Sequence, residues 1–476
     1  MLLKLRDYQD NMIGGCRRAM ARVRRVLLQA PTGAGKTALA SYMIDGAQRR
    51  GRLAYFICHR AELIAQTSAT FRKYGIPHSF IAAGLPYDPR QRVQICSIDT
   101  LKGRAHLVPE PNLAVWDECH HIAAAGWLAV MNGWTRAYHI GLSATPWRAD
   151  GAGLDAMFDE MVLGPSVAWL MEHGHLAQYT AFIPNGGMDV KGVHTRGGDF
   201  IAKEIEAKVD RPKLVGDIIT HWRKHANGLR SIGFAPSLDF SMYMVGEFNA
   251  AGIRAAHLDG NTPKGERQGI ISAYADGRLD VLWNRFLFGE GFDLAAIAQR
   301  DVTIDCVIDC APTQALNMAL QRWGRALRGD HAIILDHAGN MLRHGFPDDE
   351  REWTLEGREK SGKGGATEGP PPPIICEGCF NAIRRPAPAC CPHCGKPLRA
   401  EAKPMEVADG ELVAANDNDK AAIRAQRKKE EQEAKDIGAL IALGRKRGYD
   451  NPTGWAMKKW SNSPWRREIA ARKQAG

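Results

Sequence analysis

The sequence contains no apolar run that approaches the length of a membrane span. Its first ten residues, MLLKLRDYQD, lack the apolar core and the small-residue cleavage site of a secretory signal. No tandem repeat of solenoid length is visible, and no constellation typical of a nuclease is evident. These absences argue against a membrane protein, a repeat solenoid and a nuclease activity in this chain. A cytoplasmic location is therefore expected.

The length and charge of the chain set the next limits. At 476 residues it is too long for one ordinary core, and typical domain sizes predict two or three domains. A composition of 45% hydrophobic and 24% charged residues is that of a globular protein. The 63 Lys and Arg residues exceed the 53 Asp and Glu residues, giving a net charge of +10. This charge favours a polyanionic partner such as nucleic acid, although it also serves solubility.

Short apolar runs alternate with longer amphipathic ones in two separate stretches of the chain. This alternation predicts two parallel α/β sheets, in which each buried strand is followed by a loop and a helix. The first stretch ends near residue 142 and the second runs from residue 231 to 336. The predicted strands are VLLQA, AYFIC, VQICS, LAVW and YHIGL in the first stretch, and SIGFA, AAHL, DVLWN, CVIDC and AIILD in the second.

The remaining segments differ in composition. Between the two sheets lies a less regular connector that contains GGMDVKGVHTRGGDF, and the second sheet is followed by SGKGGATEGPPPP, a Gly-rich and then Pro-rich linker. A short cysteine-rich module and a charged helical tail come next. We predict the following boundaries: first lobe 1–155, connector 156–210, second lobe 211–345, linker 346–373, cysteine module 374–398 and tail 415–476.

The segment VLLQAPTGAGKT places a Gly-rich turn between a strand and a helical run. In that context the backbone N–H groups of residues 33–36 can surround phosphate oxygens at a helix N-terminus. Lys36 can reach the β and γ oxygens of a nucleotide, and Thr37 can ligate Mg²⁺. The predicted nucleotide-binding residues of this loop are Thr32, Gly33, Ala34, Gly35, Lys36 and Thr37.

A magnesium-bound triphosphate also needs a carboxylate at the end of a neighbouring strand. The segment NLAVWDECHH supplies two. We predict that Asp117 binds Mg²⁺ through water and that Glu118 orients or deprotonates the attacking water. On its own, an Asp-Glu pair after an apolar run is usually a solvated loop, and the phosphate loop upstream favours the catalytic interpretation.

The motifs APTGAGKT, DECH and SATP, in this order and on alternating strands, resemble motifs I, II and III of superfamily 2 helicases of the DEAD/DEAH type. The resemblance implies two tandem RecA-like lobes with ATP and Mg²⁺ bound between them. It further implies that Gln9, in LRDYQ, reads adenine. His120, Ser143 and Thr145 are expected to couple the two lobes, and CHRAELIAQT and ICSIDTL to grip the nucleic-acid backbone.

The second predicted sheet carries QRWGRALR, which resembles motif VI of the same family. By that resemblance Arg325 and Arg328 are arginine fingers that reach the γ-phosphate, and Gln321 contacts His120. Guanidinium groups suit this task because they are permanently charged and their geometry matches the phosphoryl oxygens. The alternative for an arginine-rich helix is a solvated surface.

Two further resemblances concern the second lobe. VLWNRFLFGEGFD is similar to motif V, which implies that Gly291 and Asp293 contribute to the nucleotide site. Family members commonly carry an acid near the position of Phe286 and a Ser or Thr at that of Gly289, and this chain has neither. ILDHAGNMLRHGFPDDEREW and GGDF resemble segments of the RadD-like helicases of phages and prophages.

Cysteines fall into two groups. Six lie in apolar segments and are expected to be buried free thiols: Cys16, Cys58, Cys96, Cys119, Cys306 and Cys310. The module CEGCFNAIRRPAPACCPHCGK contains two C-x-x-C hooks, whose spacing predicts a structural Zn²⁺ site. The predicted ligands are Cys376, Cys379, Cys391 and Cys394, with Cys390 and His393 as rivals. Arg384 and Arg385 between the hooks leave open whether the module contacts nucleic acid or only docks on the lobes.

The C-terminal end interleaves tryptophans with basic residues. Trp455, Trp460 and Trp465 alternate with Lys458, Lys459, Arg466 and Arg467. Such a pattern suits stacking on bases, but tryptophans at these intervals more often form the core of a small helical cap, which is the interpretation favoured here. The tail is also a candidate surface for a protein partner.

The leading hypothesis is an ATP-dependent helicase or translocase, with DNA favoured over RNA as its substrate. One alternative is a motor that moves on duplex DNA without separating the strands. Another is an ATP-gated clamp, in which lobe closure holds nucleic acid or a protein and hydrolysis resets it. A generic phosphate-loop kinase would not need the arginine motif of the second lobe.

Overall fold

Two compact units divide the chain, residues 1–400 and residues 401–476. The computed structural model describes residues 4–122, 125–148, 150–184, 187–196, 198–208, 211–285, 294–298, 300, 302–357, 371–398, 417–434, 436–449 and 451–461. Among these residues, no helix is both long and apolar enough to cross a lipid bilayer.

The first lobe is a seven-stranded parallel sheet in the order β3-β4-β2-β5-β6-β1-β7. Its elements are α1 Asp7–Met20, β1 Arg25–Gln29, α2 Lys36–Gln48, β2 Ala54–Cys58, α3 Ala61–Lys73, β3 Ser79–Ile81, β4 Val93–Ser97, α4 Ile98–Arg104, β5 Leu113–Asp117, α5 Ala125–Gly133, β6 Tyr138–Ser143 and β7 Glu160–Leu163. Because β5, β6 and β1 are neighbours and all parallel, the loops that follow them lie at one edge of the sheet.

Burial on both faces explains why the strands are continuous apolar runs. In β1, Val26 and Leu28 belong to the core on one face, while Leu27 between them belongs to the core on the other. Alternate side chains of a strand point to opposite faces, so a strand covered on both sides carries mostly apolar side chains. The pattern that predicted these strands therefore reflects their central position.

The second lobe is a six-stranded parallel sheet in the order β12-β13-β11-β14-β15-β8. Its elements are α6 Val167–Glu172, β8 Gln178–Phe182, β9 Thr195–Arg196, β10 Asp199–Phe200, α7 Ala202–Lys208, α8 Arg211–His225, β11 Ser231–Phe234, α9 Leu238–Ala250, β12 Ala255–His257, α10 Lys264–Ala275, β13 Val281–Asn284, α11 Leu294–Ala298, β14 Cys306–Asp309, α12 Leu316–Trp323, β15 His331–Asp336 and α13 Asn340–His344. The α/β architecture with two parallel sheets is thus confirmed.

The segment between the two predicted sheets does more than connect them. It supplies β7 at the edge of the first sheet and β8 at the edge of the second. It also forms the small antiparallel hairpin β9–β10. Each lobe is therefore completed by a strand from this segment.

The cysteine module contains the short antiparallel pair β16 Ile374–Ile375 and β17 Ala382–Ile383. It docks on the free edge of β8, where the Ile183 amide donates to the Phe380 carbonyl (2.9 Å) and the Asn381 side chain donates to the Ala181 carbonyl (3.1 Å). The module is therefore hydrogen-bonded to the second lobe.

The second compact unit consists of three helices, α14 Asp417–Glu433, α15 Ile437–Lys446 and α16 Pro452–Ser461. Its small core contains Leu440 and Ala456, with Trp455 and Trp460 packed against it. Arg447 binds Glu430 (2.9 Å) and Glu431 (2.7 Å), which ties α14 to the turn after α15. These two tryptophans thus take part in a helical cap, as favoured above; Trp465, Arg466 and Arg467 lie outside the described residues.

Candidate nucleotide site between the two lobes

The loop between β1 and α2 depends on two glycines. Gly33 (φ +91°) and Gly35 (φ +85°) both have left-handed backbones, which side chains other than glycine rarely adopt. A side chain would also require its neighbours to move, since a Cβ on Gly33 would lie 2.6 Å from the end of the Leu176 side chain and one on Gly35 would lie 2.5 Å from the end of the Gln9 side chain. The loop therefore turns tightly and delivers the chain to the N-terminus of α2 at Lys36, where the first N–H groups can meet an anion.

Gln9 supports this loop from α1. It is buried, its side-chain amide donates to the Ala34 carbonyl (3.0 Å), and its side-chain oxygen accepts from the Arg6 amide (3.0 Å). The Tyr8 hydroxyl donates to the same Ala34 carbonyl (3.1 Å). The structure thus brings the predicted adenine-reading residue against the phosphate loop, while its contact with adenine stays a prediction.

The two carboxylates lie at the carboxyl end of β5. Asp117 is the last residue of that strand, and Glu118 follows in a left-handed conformation (φ 47°, ψ 55°) that turns the chain sharply. Glu118 is only 4% exposed, and its Oε1 lies 4.0 Å from the Lys36 ammonium. Lys36 also approaches the Ala30 carbonyl (3.4 Å). Motifs I and II therefore meet at the same edge of the first sheet.

Glu118, His120, Ser143 and Thr145 form a buried polar chain. His120 Nδ1 lies 3.5 Å from Glu118 Oε2 and 3.2 Å from the Ser143 hydroxyl. Ser143 in turn donates to the Thr145 carbonyl (2.6 Å) and faces the Thr145 amide (3.2 Å). All four residues are at most 5% exposed. A shift at Thr145 would therefore be transmitted to the carboxylate through hydrogen-bonded neighbours.

The second lobe reaches this chain through α12. Gln321 is buried and donates to Glu118 Oε2 over 3.5 Å, the long limit of a hydrogen bond. The carboxylate oxygen that Gln321 approaches is the one that also faces His120. Gln321 thus contacts the first lobe at Glu118, the second acid of the DECH motif.

The turn after α12 lies directly against the phosphate loop. A Cβ on Gly324 would be 2.8 Å from both Cβ and Cγ2 of Thr32, closer than such atoms approach in proteins. Arg325 comes next in the chain and is 6% exposed, whereas Arg328 is exposed. The structure therefore places the two predicted fingers in different surroundings, Arg325 buried beside the interface of the lobes and Arg328 facing solvent.

The first arginine of QRWGRALR, Arg322, has a structural role that the sequence did not reveal. Arg322 is 2% exposed, pairs with Asp309 (3.2 Å), donates to the Ala311 carbonyl (2.6 Å) and lies over the Phe234 ring at 5.7 Å. These contacts fasten α12 to strands β14 and β11 of its own lobe. A buried arginine that is paired in this way holds the helix in position.

Asn340 and Asp336, in the segment ILDHAGN, extend the same buried network. The Asn340 side chain donates to Asp309 (3.0 Å) and to the Ala311 carbonyl (3.0 Å), both of which Arg322 also contacts. Asp336 accepts the amides of Asn340 (3.0 Å) and Met341 (2.7 Å) at the start of α13. Burial, reinforced by the nearby Asp309, raises the pKa of Asp336 to about 7.

The segment GGDF contacts the residues that lead into α12. Asp199 accepts the Thr313 hydroxyl (2.8 Å) and the Gln314 amide (2.7 Å), just before the helix begins. The Phe200 ring lies beneath the guanidinium of Arg343 from α13 at 5.7 Å. Two segments that are far apart in sequence thus both contact the residues just before the motif VI helix, since Asn340 also accepts the Thr313 amide (3.0 Å).

The motif V residues Gly291 and Asp293 lie outside the described residues, as do the altered positions 286 and 289. Elsewhere the lobes are joined by an ion pair between Arg267 of α10 and Glu62 of α3 (3.0 Å). This pair connects the lobes at CHRAELIAQT, a segment expected to grip nucleic acid.

The four predicted zinc ligands come together. The Sγ atoms of Cys376, Cys379, Cys391 and Cys394 all lie within 4.8 Å of one another, and the pairs Cys376–Cys394 and Cys379–Cys391 are each 3.6 Å apart. Tetrahedral thiolate coordination, with Zn–S near 2.3 Å, requires sulfur separations of about 3.8 Å. Cys390 is not part of this cluster.

The surroundings of the module bear on its role. His393 packs its ring on Phe182 of the second lobe at 5.0 Å. Arg384 forms ion pairs with Asp348 and Asp349 and lies over the Phe346 ring at 4.4 Å. Arg384 therefore takes part in docking the module, whereas Arg385 donates to the Pro372 carbonyl (3.1 Å) and makes no ion pair among the described residues. The other six cysteines are buried free thiols, as expected.

Comparisons with known proteins match both lobes. Residues 2–148 match the family model described as the res subunit of type III restriction enzymes, and residues 210–330 match the helicase conserved C-terminal domain. A 51.5 kDa protein of a Lactococcus phage is 32% identical over 333 residues, covering 69% of this chain and 68% of the phage protein. The putative ATP-dependent helicase IRC3 of Saccharomyces cerevisiae is 26% identical over 364 residues, covering 70% of this chain and 51% of the yeast protein.

Among solved structures, the ATP-dependent type ISP restriction-modification enzyme LlaBIII bound to DNA superposes with a TM-score of 0.51 at 15% identity. The match covers 70% of this chain and 27% of that one. At this identity the likeness concerns the fold of the two lobes.

Proposed function

This chain belongs to the superfamily 2 helicases, and on that premise we propose that it is an ATP-driven motor of the RadD-like subgroup that moves along or unwinds DNA. One observation carries the proposal, namely that motif VI contacts the ATP-binding motifs of the first lobe at two points: Gly324 lies against Thr32, and Gln321 reaches Glu118. Hydrolysis then requires both lobes, and its cycle can be linked to their opening and closing.

Different residues of the first lobe bind the triphosphate, bind Mg²⁺ and activate water. Backbone amides of the phosphate loop and Lys36 bind the triphosphate, and Thr37 and Asp117 offer the hydroxyl and carboxylate oxygens that Mg²⁺ prefers. Mg²⁺, when bound, would neutralise charge on the phosphate oxygens. Glu118, held by Lys36 and Gln321, accepts the proton of the attacking water.

Arg325 is the finger that meets the charge developing on the phosphoryl oxygens. Its burial next to the Gly324–Thr32 contact supports this role, whereas the exposure of Arg328 makes it the weaker candidate. A finger of this kind contributes roughly 10³ to 10⁵ to the rate. Arg325→Ala should therefore retain ATP binding and lose turnover by about that factor, while Arg328→Ala should lose less.

The decisive experiment is ATPase activity titrated with single-stranded DNA, duplex DNA and RNA, with Lys36→Ala as the blank. Stimulation by DNA but not RNA is expected, and a strand-displacement assay run in parallel separates unwinding from movement on the duplex. Tight ATP-dependent DNA binding with slow turnover and no movement would instead indicate the clamp. Equal turnover in Arg325→Ala and the parent protein would contradict the mechanism.

The four-cysteine cluster is proposed to hold a structural Zn²⁺. Its sulfur separations fit the metal, and three of its cysteines, Cys376, Cys379 and Cys391, form the small core of the module together with Ile383. Metal binding would then supply most of the folding free energy of the module, about 10 kcal/mol. One zinc per chain by metal analysis of the purified protein is the expected result, and its absence would remove this proposal.

A further inference from the structure

A cavity that contains no residue of the phosphate loop lies between the lobes, and the proposed nucleotide mechanism does not use it. Its volume is about 400 Å³. Thr145 and Trp147 line it from the first lobe, and Asn317 of α12 lines it from the second. Trp353, from the chain after α13, completes the wall. We call it the interlobe cavity.

The wall that contains Trp353 is held in place by backbone contacts. Residues 353–357, here called the strap, leave the second lobe and lie against the first. Trp147 donates its ring N–H to the Thr354 carbonyl (2.9 Å), and the Leu154 amide donates to the Leu355 carbonyl (2.6 Å). The strap crosses so close to Gly153 that a Cβ there would lie 2.0 Å from the Leu355 carbonyl oxygen. The cavity is therefore built by specific contacts between strap and lobe.

Two aromatic rings and two polar atoms define what this cavity can hold. Trp147 and Trp353 are half-buried, with ring centroids 4.8 Å apart and planes inclined by 65°. Asn317 Oδ1 and Thr145 Oγ1 are buried atoms of residues only 6% and 2% exposed, and neither has a hydrogen-bond partner among the described residues. Buried polar atoms are rarely left unpaired in native proteins, so a polar ligand or water is expected to meet them.

We propose that the interlobe cavity accepts one unpaired base of the nucleic-acid strand, an inference that rests on the proposed function. The base would lie against Trp147 or Trp353 and donate an amino or ring N–H to Asn317 Oδ1. The volume is within the range of roughly 300–1,000 Å³ typical of small-ligand pockets. A planar group that carries N–H donors satisfies both the aromatic walls and the acceptor, which an aliphatic or purely anionic ligand would not.

Charge at the rim agrees with a strand passing nearby. Arg148 lines the cavity and is exposed, and it pairs with Asp150 at 3.1 Å. Since that pair is exposed to solvent, it is weak, and the guanidinium can exchange its partner for a phosphate.

Occupation of the cavity would act directly on the catalytic groups. Asn317 precedes Gln321 by one helical turn on α12, so both lie on the same face of that helix. Thr145, on the other wall, is hydrogen-bonded to Ser143 and through it to His120. A base that contacts both Asn317 and Thr145 therefore touches two residues that are linked to Glu118, one through Gln321 and the other through Ser143 and His120. This arrangement would let the ATPase sense an unpaired base.

The test uses the full-length protein and a set of short single-stranded DNAs, each with one abasic site at a successive position. Binding and ATPase stimulation are measured for the parent, Trp353→Ala, Trp353→Phe and Asn317→Leu, with Lys36→Ala as the blank for hydrolysis. One abasic position is expected to weaken binding to the parent roughly 5- to 150-fold, the range for loss of a stacked base. Trp353→Ala should abolish that dependence on position, and Trp353→Phe should retain it.

Each result has a distinct meaning. DNA that stimulates the parent equally, whatever the abasic position, would overturn the cavity proposal and leave the proposed function standing. A parent that hydrolyses ATP at the same rate with every DNA and RNA would overturn both. If Trp353→Ala fails to fold, the abasic series on the parent and Asn317→Leu still decides the matter.

Discussion

Replacing Gly324 by alanine tests whether contact between the lobes is required for catalysis. Gly324 has ordinary helical backbone angles (φ −60°, ψ −12°), so alanine causes no backbone strain there. The added methyl group would nevertheless lie 2.8 Å from Cβ and Cγ2 of Thr32 across the interface. Carbon atoms pack at about 3.5–4.0 Å, so the lobes would have to separate by about 1 Å.

The size of the effect follows from that overlap. Overpacking by one methyl group costs about 1–3 kcal/mol. If the cost falls on the closed form, the closed population decreases roughly 5- to 150-fold. Turnover depends on closure and should fall by a similar factor, whereas ATP binding by the phosphate loop should change less.

The assay compares steady-state ATPase activity with equilibrium binding of a slowly hydrolysed ATP analogue. Gly246→Ala is the matched control, because Gly246 is exposed in α9 of the same lobe and a Cβ there meets nothing within 4 Å. Thermal unfolding checks that both variants are folded. Parent-like turnover in Gly324→Ala would refute the argument that this contact belongs to the active form.

Three further predictions concern stability. His139 accepts the Trp116 ring N–H (3.1 Å), and burial lowers the pKa of His139 from 6.5 to about 4. The free energy of unfolding should therefore be highest above pH 6.5 and fall by about 3 kcal/mol as the pH drops towards 4. His139→Gln should flatten this pH dependence, measured by denaturant unfolding. The Ile183 amide donates to Phe380 of the cysteine module, so removal of zinc by a chelator should break this hydrogen bond. Hydrogen exchange at the Ile183 amide should then accelerate, while the amides of the central strands stay protected. Asn340→Leu, which removes a donor to buried Asp309, should destabilise the second lobe by about 2–4 kcal/mol in urea unfolding; an unchanged midpoint would contradict the role given to that network.

The strands that could be predicted are the central ones and one edge strand, β12. All ten apolar runs identified in the sequence coincide with strands, because burial on both faces leaves continuous apolar patterns. Three of the four edge strands were missed: β7 and most of β8 are half-buried or exposed, and β3 has only three residues. Their pairing depends on the free edges of sheets built from distant residues.

The candidate site, too, has parts that could be predicted from the sequence and parts that could not. The phosphate loop, the DECH acids and the cysteine hooks are local patterns whose spacing already specifies a chemistry. The different surroundings of the arginines in QRWGRALR are not local. Arg322, Arg325 and Arg328 occupy one short segment, yet the first is fastened to Asp309, the second is buried near the phosphate loop and the third faces solvent.

By itself the sequence determined the two parallel sheets, the phosphate loop and the spacing of the thiols, because these depend on periodicity and on residues close together in the chain. Tertiary structure alone decided that Gln321 meets Glu118, 203 residues away, that GGDF and DHAGN support one helix, and that the strap closes the interlobe cavity. The physical reason is that such contacts depend on how separately formed sheets and helices pack. No short-range pattern encodes the partner that a side chain finds across an interface.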